Sequence, residues 1–530
     1  MTLRVTWVQP EDLVGHELRL ASEDGREAGA LAARWTAAGG PPAPTSAGAS
    51  AVPRPDLRPL AEELLDALAS LPSPLSPHEP TPLPVIQALT TAPRVGNRPA
   101  GRDRWAHGTA PPAAPPRSGP EPAPPVTVHT SAGPGSVASG AGKGAVPLCP
   151  PSPKLSASLE QGGPPSPLAE RLPTTGRDTG LQDRLHAAWL GRAAGCLLGK
   201  PVEKLPLHAI RALARAAGNW PLTSWFTARG VPPELLAAHP WNRRSAGTSL
   251  AENIDGMPED DDLNYPLLNL LLLQRYGRDF TTADVARLWL DELPAGRTFT
   301  AERVAYRNLL DGVEPPLTAL RRNPFREWIG AQIRADVHGW THPGDPVAAA
   351  AQAHRDAVLT HTANGVYGAM FVAATLATAA TGTADVHQSL AAGLGVVPPR
   401  SRLARAVRLG IETAGATADF DTVVDRLHAE LGGYHWVHAV PNAAVLAAAL
   451  THGDGDFSRS VCAAVSGGWD TDSNGATAGS VAGLLAGHPD RLPERWTAPL
   501  KNRLATSVPS FDGIGFDTLA ELTHTEAVRP

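Results

Sequence analysis

Residues 466–487 read SGGWDTDSNGATAGSVAGLLAG, in which a glycine turn, an acidic group and a run of small residues follow one another. Asp470 and Asp472 lie at the start of a predicted helix, where the helix dipole favours negative charge. The small residues over 475–483 would let a second helix approach closely. The stretch therefore predicts a helix that another helix approaches closely, an arrangement that would bring two acidic helix ends together.

The sequence on both sides of this stretch is also typical of helix. Amphipathic segments rich in Ala and Leu follow one another from Leu181 onward, and alternating β-branched runs bounded by turn residues are missing. No repeat of 20–50 residues stands out, which argues against a helical solenoid. We predict one large all-α domain over 181–510, followed by a tail over 511–530. The predicted helices cover 181–198, 206–217, 265–276, 282–291, 300–311, 346–359, 363–380, 400–414, 418–431, 440–451, 457–465 and 474–486.

The N-terminal third has a different composition. It holds 32 of the 54 prolines before residue 181, so it cannot be continuous helix or central sheet. Residues 1–40 predict a small element, with a strand over 3–8 and a helical run from Glu11 to about Ala38. Residues 41–180 predict a largely disordered Pro/Gly/Ala-rich linker. Within it, apolar residues at helical spacing predict a short helix over 57–71.

A second acidic cluster, Glu259 to Asp262, directly precedes the apolar segment that begins at Tyr265. Two like charges about 4 Å apart repel by roughly 4 kcal/mol at an effective dielectric near 20, so converging carboxylates call for a cation. A surface helix start or a simple N-cap would account for one acid, not for four. Carboxylates and hydroxyls are hard oxygen ligands, suited to Mg²⁺, Mn²⁺ or Ca²⁺.

A third segment, GRAAGCLLGKPVE over 191–203, resembles the G-A-x-x-G-D-x-L-G-x-P-x-E signature of the ADP-ribosylglycohydrolases. The cluster at 259–262 is similar to the T-D-D-T metal motif of that family. Residues 467–473 are similar to its G-G-D-T-D-T motif with one inserted Trp. Residues 330–334 resemble its N-G-x-x-M-R segment, and 360–361 its T-H pair. The resemblance covers about 182–500 and does not reach the N-terminal third.

This resemblance implies an orthogonal all-α helical bundle with two divalent cations, usually Mg²⁺ or Mn²⁺, that hold ribose hydroxyls while water cleaves the anomeric bond. Glu203 matches the family's glutamate near the scissile bond and would orient or activate the water. Either Glu203 or a metal-ligating aspartate such as Asp261 could be the base. In an alternative register of the first motif, Glu259 and Asp260 accompany Asp261. The favoured register implies the metal ligands Asp260, Asp261, Asp262, Asp470, Asp472 and Ser473.

Candidate substrate contacts lie outside the acidic clusters. Arg243 and Arg244 either meet a diphosphate or are ordinary loop charge. His435, in GGYHWVHAVPN, would line the pocket by stacking or hydrogen bonding, since carboxylates already supply the metal site. The segments that carry the resemblance imply five further substrate-binding residues, Gly330, Arg334, His361, Gly467 and Gly468.

The sequence also departs from the family pattern. Cys196 stands where the signature has Asp, Glu259 where the first motif has Thr, and Ile329 where the third segment has Asn. These changes predict a different substrate pocket. The extra acid at 259 would either tighten binding of the first ion or alter which metal is preferred.

Composition limits the partners. A net charge of −6 argues against a general polyanion binder. No stretch approaches the roughly 18 apolar residues of a membrane span, and the N-terminus lacks a secretory pattern. The three cysteines are too few and scattered for a disulfide framework. We expect a cytoplasmic protein without a membrane partner. Lysine occurs at only five positions, 143, 154, 200, 204 and 501, which we take as compositional background.

The predicted function is a metal-dependent hydrolase of an N- or O-ribosyl bond, with an ADP-ribose conjugate as substrate. Nucleic acid would enter only as a modified substrate. Alternatives are a non-catalytic ADP-ribose or nucleotide sensor, a structural family member, and a hydrolase of another ribosyl or nucleoside substrate. A terpene-synthase-like enzyme would require a second motif that residues 470–476 do not supply. The N-terminal arm either recruits a partner or packs on the catalytic domain.

Overall fold

The computed structural model describes residues 8–46, 52–90 and 179–529. Helices before residue 91 are α1 Pro10–Glu23, α2 Gly29–Ala37, α3 Arg58–Ala69 and α4 Leu83–Leu89. Those of the long C-terminal range are α5 Thr179–Gly199, α6 Leu207–Ala216, α7 Pro233–Ala238, α8 Ala246–Ser249, α9 Asp261–Tyr276, α10 Thr282–Glu292, α11 Thr300–Leu310, α12 Asp336–Trp340, α13 Pro346–Ala357, α14 Ala363–Ala379, α15 Val386–Gly395, α16 Arg402–Ala416, α17 Phe420–Leu431, α18 Ala439–Gly453, α19 Phe457–Ser466, α20 Thr471–Ala486, α21 Glu494–Thr497 and α22 Phe516–Ala527. Two of the short 3-10 helices, Lys200–Val202 and Ile329–Arg334, bear on the site.

The prediction of an all-α fold is confirmed. Within the three described ranges no β-strand forms, and extended pairing is limited to the isolated bridges Met257–Leu504 and Trp328–His438. All twelve predicted segments of the C-terminal region coincide with helices. Helices α9 and α20 begin earlier than predicted, which places their acids in the first turn. In the described part of the chain, no helix is both long and apolar enough to cross a membrane.

Helices α5 and α20 form the central contact of the fold and run antiparallel. Gly191 faces Gly479, and Gly195 faces Gly475, with each backbone lying where the partner's Cβ would be. Only glycine fits at these positions, because any side chain would overlap the opposing carbonyl group. The small residues of α20 thus admit a close helix, as predicted, but that helix is α5 and not α9, which begins with the other acidic cluster. The contact brings the C-terminal end of α5 to the acidic start of α20.

The predicted helical run over 11–38 is divided into α1 and α2. The chain turns between them at Gly25, which has a φ of +75°. The buried Arg26 holds this turn through ion pairs of 2.9 Å with both Glu17 and Asp24. Residues 1–7, which contain most of the predicted strand, lie outside the described residues.

Part of the predicted linker packs on the helical core. Helix α3 lies inside the predicted 57–71 segment and buries Leu64, Leu65 and Leu68. Farther along, the Glu79 carboxylate pairs with Arg402 of α16 at 2.7 Å, and both side chains are buried. The described ranges belong to one compact unit. The remainder of the predicted linker, 91–178, lies outside the described residues.

The predicted C-terminal tail contains helix α22, which packs against α5. Phe516, Leu519 and Ala520 are buried, and the indole nitrogen of Trp189 donates to the Thr523 hydroxyl at 3.0 Å. The segment orders because these apolar residues repeat at helical spacing and cover the side of α5.

Candidate metal centre

The first acidic cluster forms the start of α9. Asp260 is the N-cap, and its carboxylate accepts a hydrogen bond from the backbone nitrogen of Asp262 at 2.9 Å. Asp261 and Asp262 occupy the first turn. Asp262 is only 2% exposed, unlike a surface helix start. Glu259 points elsewhere and accepts from the Asn264 side chain at 2.8 Å.

The second cluster forms the start of α20, beside the first. The hydroxyl of Ser473 donates to the Asp262 carboxylate at 3.4 Å, so the two helix starts touch. Asp470, Asp472 and Ser473 are all buried. The thiol sulfur of Cys196, on α5, lies 3.8 Å from the same Asp262 oxygen. The predicted ligands from the two motifs therefore come together, 210 residues apart in sequence.

The inserted tryptophan is accommodated by the loop before α20. Gly468 and Trp469 both have positive φ, +74° and +53°. The Trp469 ring stacks on His428 of α17, with ring centroids 3.6 Å apart. His428 in turn donates from Nε2 to the carbonyl oxygen of Gly467 at 2.8 Å. The glycine pair thus shapes the turn that presents Asp470 and Asp472.

Burial and mutual repulsion disturb the carboxyl groups. Burial first, and then the charges of Asp260 and Asp472, raise the pKa values of Asp261 and Asp262 well above the usual range. Burial, followed by the charge of Asp472, does the same to the pKa of Asp470. The pKa of Asp472 is raised to about 7 by burial, then by Glu203 and Asp260. Such a group of acids favours bound positive charge.

One positive charge is already present. Lys200, in the 3-10 turn after α5, pairs through Nζ with Asp260 and is only 6% exposed. Burial would raise the pKa of Asp260, but Lys200 lowers it below its ordinary value. We did not predict this contact from the sequence. The scarcity of lysine in the chain was a signal that could have led to it.

Glu203 lies at the edge of the cluster and is held by two groups. The Asn242 side chain donates to one oxygen at 2.6 Å, and Lys204 pairs with the other at 2.6 Å. The Glu203 side chain retains 18% exposure, so water can reach it. Arg243 and Arg244 follow Asn242 and are exposed. These two arginines therefore lie on the loop that holds Glu203.

Arg192 organises the buried side of the centre and was also missed. Its Nε donates to the carbonyl oxygen of Asp262 at 2.8 Å, and a terminal nitrogen pairs with Asp336 at 2.8 Å. Another terminal nitrogen lies 3.5 Å from the Asp262 carboxylate. The side chain is fully buried. Arg192 thus ties α5, α9 and α12 together behind the acids.

Arg334, Gly330 and His361 form a separate buried group around Glu302. Arg334 pairs with Glu302 at 3.0 Å and with Asp356 at 2.6 Å, and every guanidinium nitrogen donates to protein groups. Gly330 packs so closely on Glu302 that a Cβ would overlap its carboxylate. The Nε2 of His361 lies 3.8 Å from Glu302. These contacts fix the Ile329–Arg334 turn.

His435 lies under the N-terminal arm, whose described residues are 8–46. Its ring stacks on Trp328 with centroids 4.2 Å apart, and its Nε2 donates to the carbonyl oxygen of Thr45 at 2.9 Å. The neighbouring Trp436 lies beside Lys204, whose Nζ is 5.9 Å from the ring centroid. The arm therefore reaches the side of the centre where Lys204 contacts Glu203.

The residues present fit a divalent cation. Ligand atoms of Cys196, Asp260 and Asp262 lie within 4.8 Å of one another, and the Lys200 ammonium already pairs with Asp260 of this group. The buried Oδ1 of Asp262 has no hydrogen-bond partner among the described residues. Apart from the thiol, the donors are carboxylates and a hydroxyl, the ligands that Mg²⁺ and Mn²⁺ prefer.

A family model described as ADP-ribosylglycohydrolase matches residues 177–527, more than half of the chain. Among solved structures, the chain is similar to one named "ADP-ribosylglycohydrolase-related protein complex", with 21% identity over 66% of this chain and 100% of that chain and a TM-score of 0.43. No curated protein matches the chain.

Proposed function

The chain belongs to the ADP-ribosylglycohydrolase family, and we propose that it is a metal-dependent glycohydrolase that cleaves an N- or O-ribosyl bond. Its proposed substrate is ADP-ribose attached to a protein, a nucleic acid or a small molecule. The observation that carries the proposal is the meeting of the acidic starts of α9 and α20 beside Glu203. Acids that served only to cap the two helices would not need to lie together in this way.

Asp261, Asp262, Asp470, Asp472 and Ser473, together with Asp260, would hold the divalent cation, Mg²⁺ or Mn²⁺. When bound, such an ion polarises hydroxyl groups and water and offsets negative charge that develops during the reaction. Because these acids are buried, apart from the half-buried Asp261, fixed charge there is worth more than it would be in water.

Glu203 is the proposed base. Asn242 and Lys204 fix its two oxygens, while its partial exposure leaves room for water. As the glycosidic bond breaks through an oxocarbenium-like state, its electron pair stays on the leaving nitrogen or oxygen and the water oxygen bonds to the anomeric carbon. One water proton passes to Glu203, and the leaving atom takes up a proton in turn, which restores the Glu203 carboxylate when Glu203 is the donor. The alternative base is Asp261, whose charge interacts with that of Glu203.

The predicted substrate-binding residues differ in whether they are free to contact a substrate. Arg243 and Arg244 are exposed on the loop that holds Glu203, where they would meet the diphosphate. Gly468 would offer its carbonyl oxygen beside Asp470, whereas both backbone groups of Gly467 are engaged, by His428 and by Ala463. Arg334, with His361 and Gly330 beside it, is engaged by protein groups, so we propose that it positions the Ile329–Arg334 turn instead of contacting substrate.

The test is release of free ADP-ribose from arginine-, serine- and nucleic-acid-linked substrates in Mg²⁺, Mn²⁺ or EDTA. We expect EDTA-sensitive release by the wild-type protein and its loss in Asp261→Ala and Asp472→Ala. Asp490→Ala is the control, because that side chain is 88% exposed, and it should keep full activity. Release that survives EDTA and both substitutions would contradict the metal assignment. Binding of ADP-ribose without release from any substrate would contradict the hydrolase and favour a sensor.

A further inference from the structure

The ammonium group of Lys200 lies inside the carboxylate cluster and not at its rim. Its Nζ contacts the Asp260 carboxylate and lies 3.3 Å from the backbone oxygen of Glu259. The side chain is 6% exposed. Burying an ammonium is costly unless acids surround it, so the cluster itself keeps Lys200 in place.

The backbone around Lys200 is fixed on both sides. The Thr471 hydroxyl donates to the carbonyl oxygen of Gly199 at 2.9 Å, and a Cβ on Gly199 would overlap the Thr471 backbone. On the other side, the Asn242 backbone nitrogen donates to the carbonyl oxygen of Pro201 at 2.9 Å. The 3-10 turn that carries Lys200 is therefore held against the start of α20.

The acids of the cluster divide into two sets. Asp260 has the Lys200 partner, and Asp262 has Arg192 at 3.5 Å. Asp261, Asp470 and Asp472 make no ion pair with a basic side chain in the described part of the chain. Uncompensated charge is thus concentrated on the second set.

We propose that the Lys200 ammonium occupies one of the two cation places that the family resemblance implies, so that the centre binds a single divalent ion. The inference rests on the metal centre of the proposed function. A dication beside Asp260 would face the ammonium at short range in a buried site, with twice the repulsion of two unit charges. Cys196 strengthens the effect, because it supplies a thiol where the family signature has a carboxylate.

The test counts bound ions on the full-length protein. Metal-free protein is titrated with Mn²⁺, and free Mn²⁺ is followed by its electron paramagnetic resonance signal. We expect one tightly bound Mn²⁺ per chain in the wild type and two in Lys200→Met, a twofold increase. The matched control is Lys204→Met, which removes a neighbouring ammonium that pairs with Glu203 and should leave the count at one.

Each other result overturns the inference. Two bound ions in the wild type would overturn the single-ion inference but leave the proposed metal-dependent hydrolase intact. No bound ion would overturn both the inference and the proposed function. If Lys204→Met also bound a second Mn²⁺ ion, the number of bound ions would depend on the net charge of the site and not on the position of Lys200 beside Asp260. One ion in a folded Lys200→Met protein would also overturn it. If that variant does not fold, the wild-type count still decides between one ion and two.

Discussion

Gly195 and Gly475 meet backbone to backbone where α5 lies against α20, and a methyl group on either would overlap the other's carbonyl oxygen. This contact sets how closely the turn carrying Lys200 and Glu203 approaches the acidic start of α20. Helix packing and the candidate site therefore depend on the same pair of residues.

Substituting Gly195 with alanine should separate the two helices. We expect Gly195→Ala to lose about 3 kcal/mol of unfolding free energy, the upper part of the usual range for overpacking a core. Mn²⁺ affinity should fall with it, because the acids of α20 move away from α9. Urea unfolding and Mn²⁺ titration measure the two effects.

Gly415→Ala is the control for that substitution. Gly415 lies in the last turn of α16, and a Cβ there would meet nothing within 4 Å. Replacing a helical glycine with alanine at an open position should stabilise the protein by about 0.5–1 kcal/mol. If Gly195→Ala were equally harmless, the close approach of α5 and α20 would not be required.

Arg334 gives a second prediction about stability. Removing its guanidinium in Arg334→Met leaves Glu302 and Asp356 buried without their basic partner. Breaking a buried ion pair in this way typically costs 3–5 kcal/mol, which urea unfolding can detect. Arg322→Ala is the comparison, because its partner Asp66 has a side chain that is 61% exposed; it should cost less than about 1 kcal/mol. If both substitutions lowered the unfolding free energy by the same amount, the structural role of Arg334 would be contradicted.

The sequence was sufficient to predict most helices of the C-terminal region because they carry apolar residues at helical spacing over ten or more positions. Helix α15 was missed, since it is short and contains two glycines. Helix α22 was missed because it follows the glycine-rich FDGIG stretch. The ordering of residues 72–90, beyond the predicted helix over 57–71, was not predicted either, because it depends on tertiary contacts such as Glu79 with Arg402 that leave no local pattern.

The acids of the candidate site were predictable because they are clustered along the chain and match a family pattern. Their supporting residues were not. Arg192, Lys200 and Asn242 contact groups 39 to 144 residues away, so no local spacing indicates their partners. Arg192 did leave a signal, as it is the only acidic or strongly basic residue between Leu185 and Gly199. A lone charge in a long apolar helix usually has a buried partner.

Asn242 should affect catalysis without affecting the metal. Asn242→Ala removes the hydrogen bond that holds one oxygen of Glu203. A hydrogen bond to a charged group is worth about 1.5–3 kcal/mol, so we expect kcat to fall at least about tenfold while the number of bound Mn²⁺ ions is unchanged. Asn253→Ala is the control, since within the described ranges the Asn253 side chain donates only to the nearby carbonyl oxygen of Ala246. An unchanged kcat in Asn242→Ala would argue for Asp261 as the base.

The last prediction concerns Glu23, at the end of α1. Its Oε1 is buried without a hydrogen-bond partner among the described residues, and its Oε2 lies 3.5 Å from Nε2 of His438. Burial, and then the charge of Glu327, raise the pKa of Glu23 from its ordinary 4.5 to about 8, although Arg402 and Arg19 oppose this. The folded protein therefore binds a proton on Glu23 more tightly than the unfolded chain does.

This proton makes Glu23 a source of pH-dependent stability. Protonated Glu23 makes its full contribution to the unfolding free energy below pH 4.5, and this contribution is lost as the pH rises to about 8. Over that interval the unfolding free energy falls by up to about 1.4 kcal/mol per pH unit. Glu23→Gln cannot ionise, so its unfolding free energy should fall less over that interval than that of the wild type. Urea unfolding of both proteins at several pH values measures the difference, in which other titrating groups cancel. Parallel curves for the two proteins would mean that Glu23 is already ionised in the folded state at pH 5.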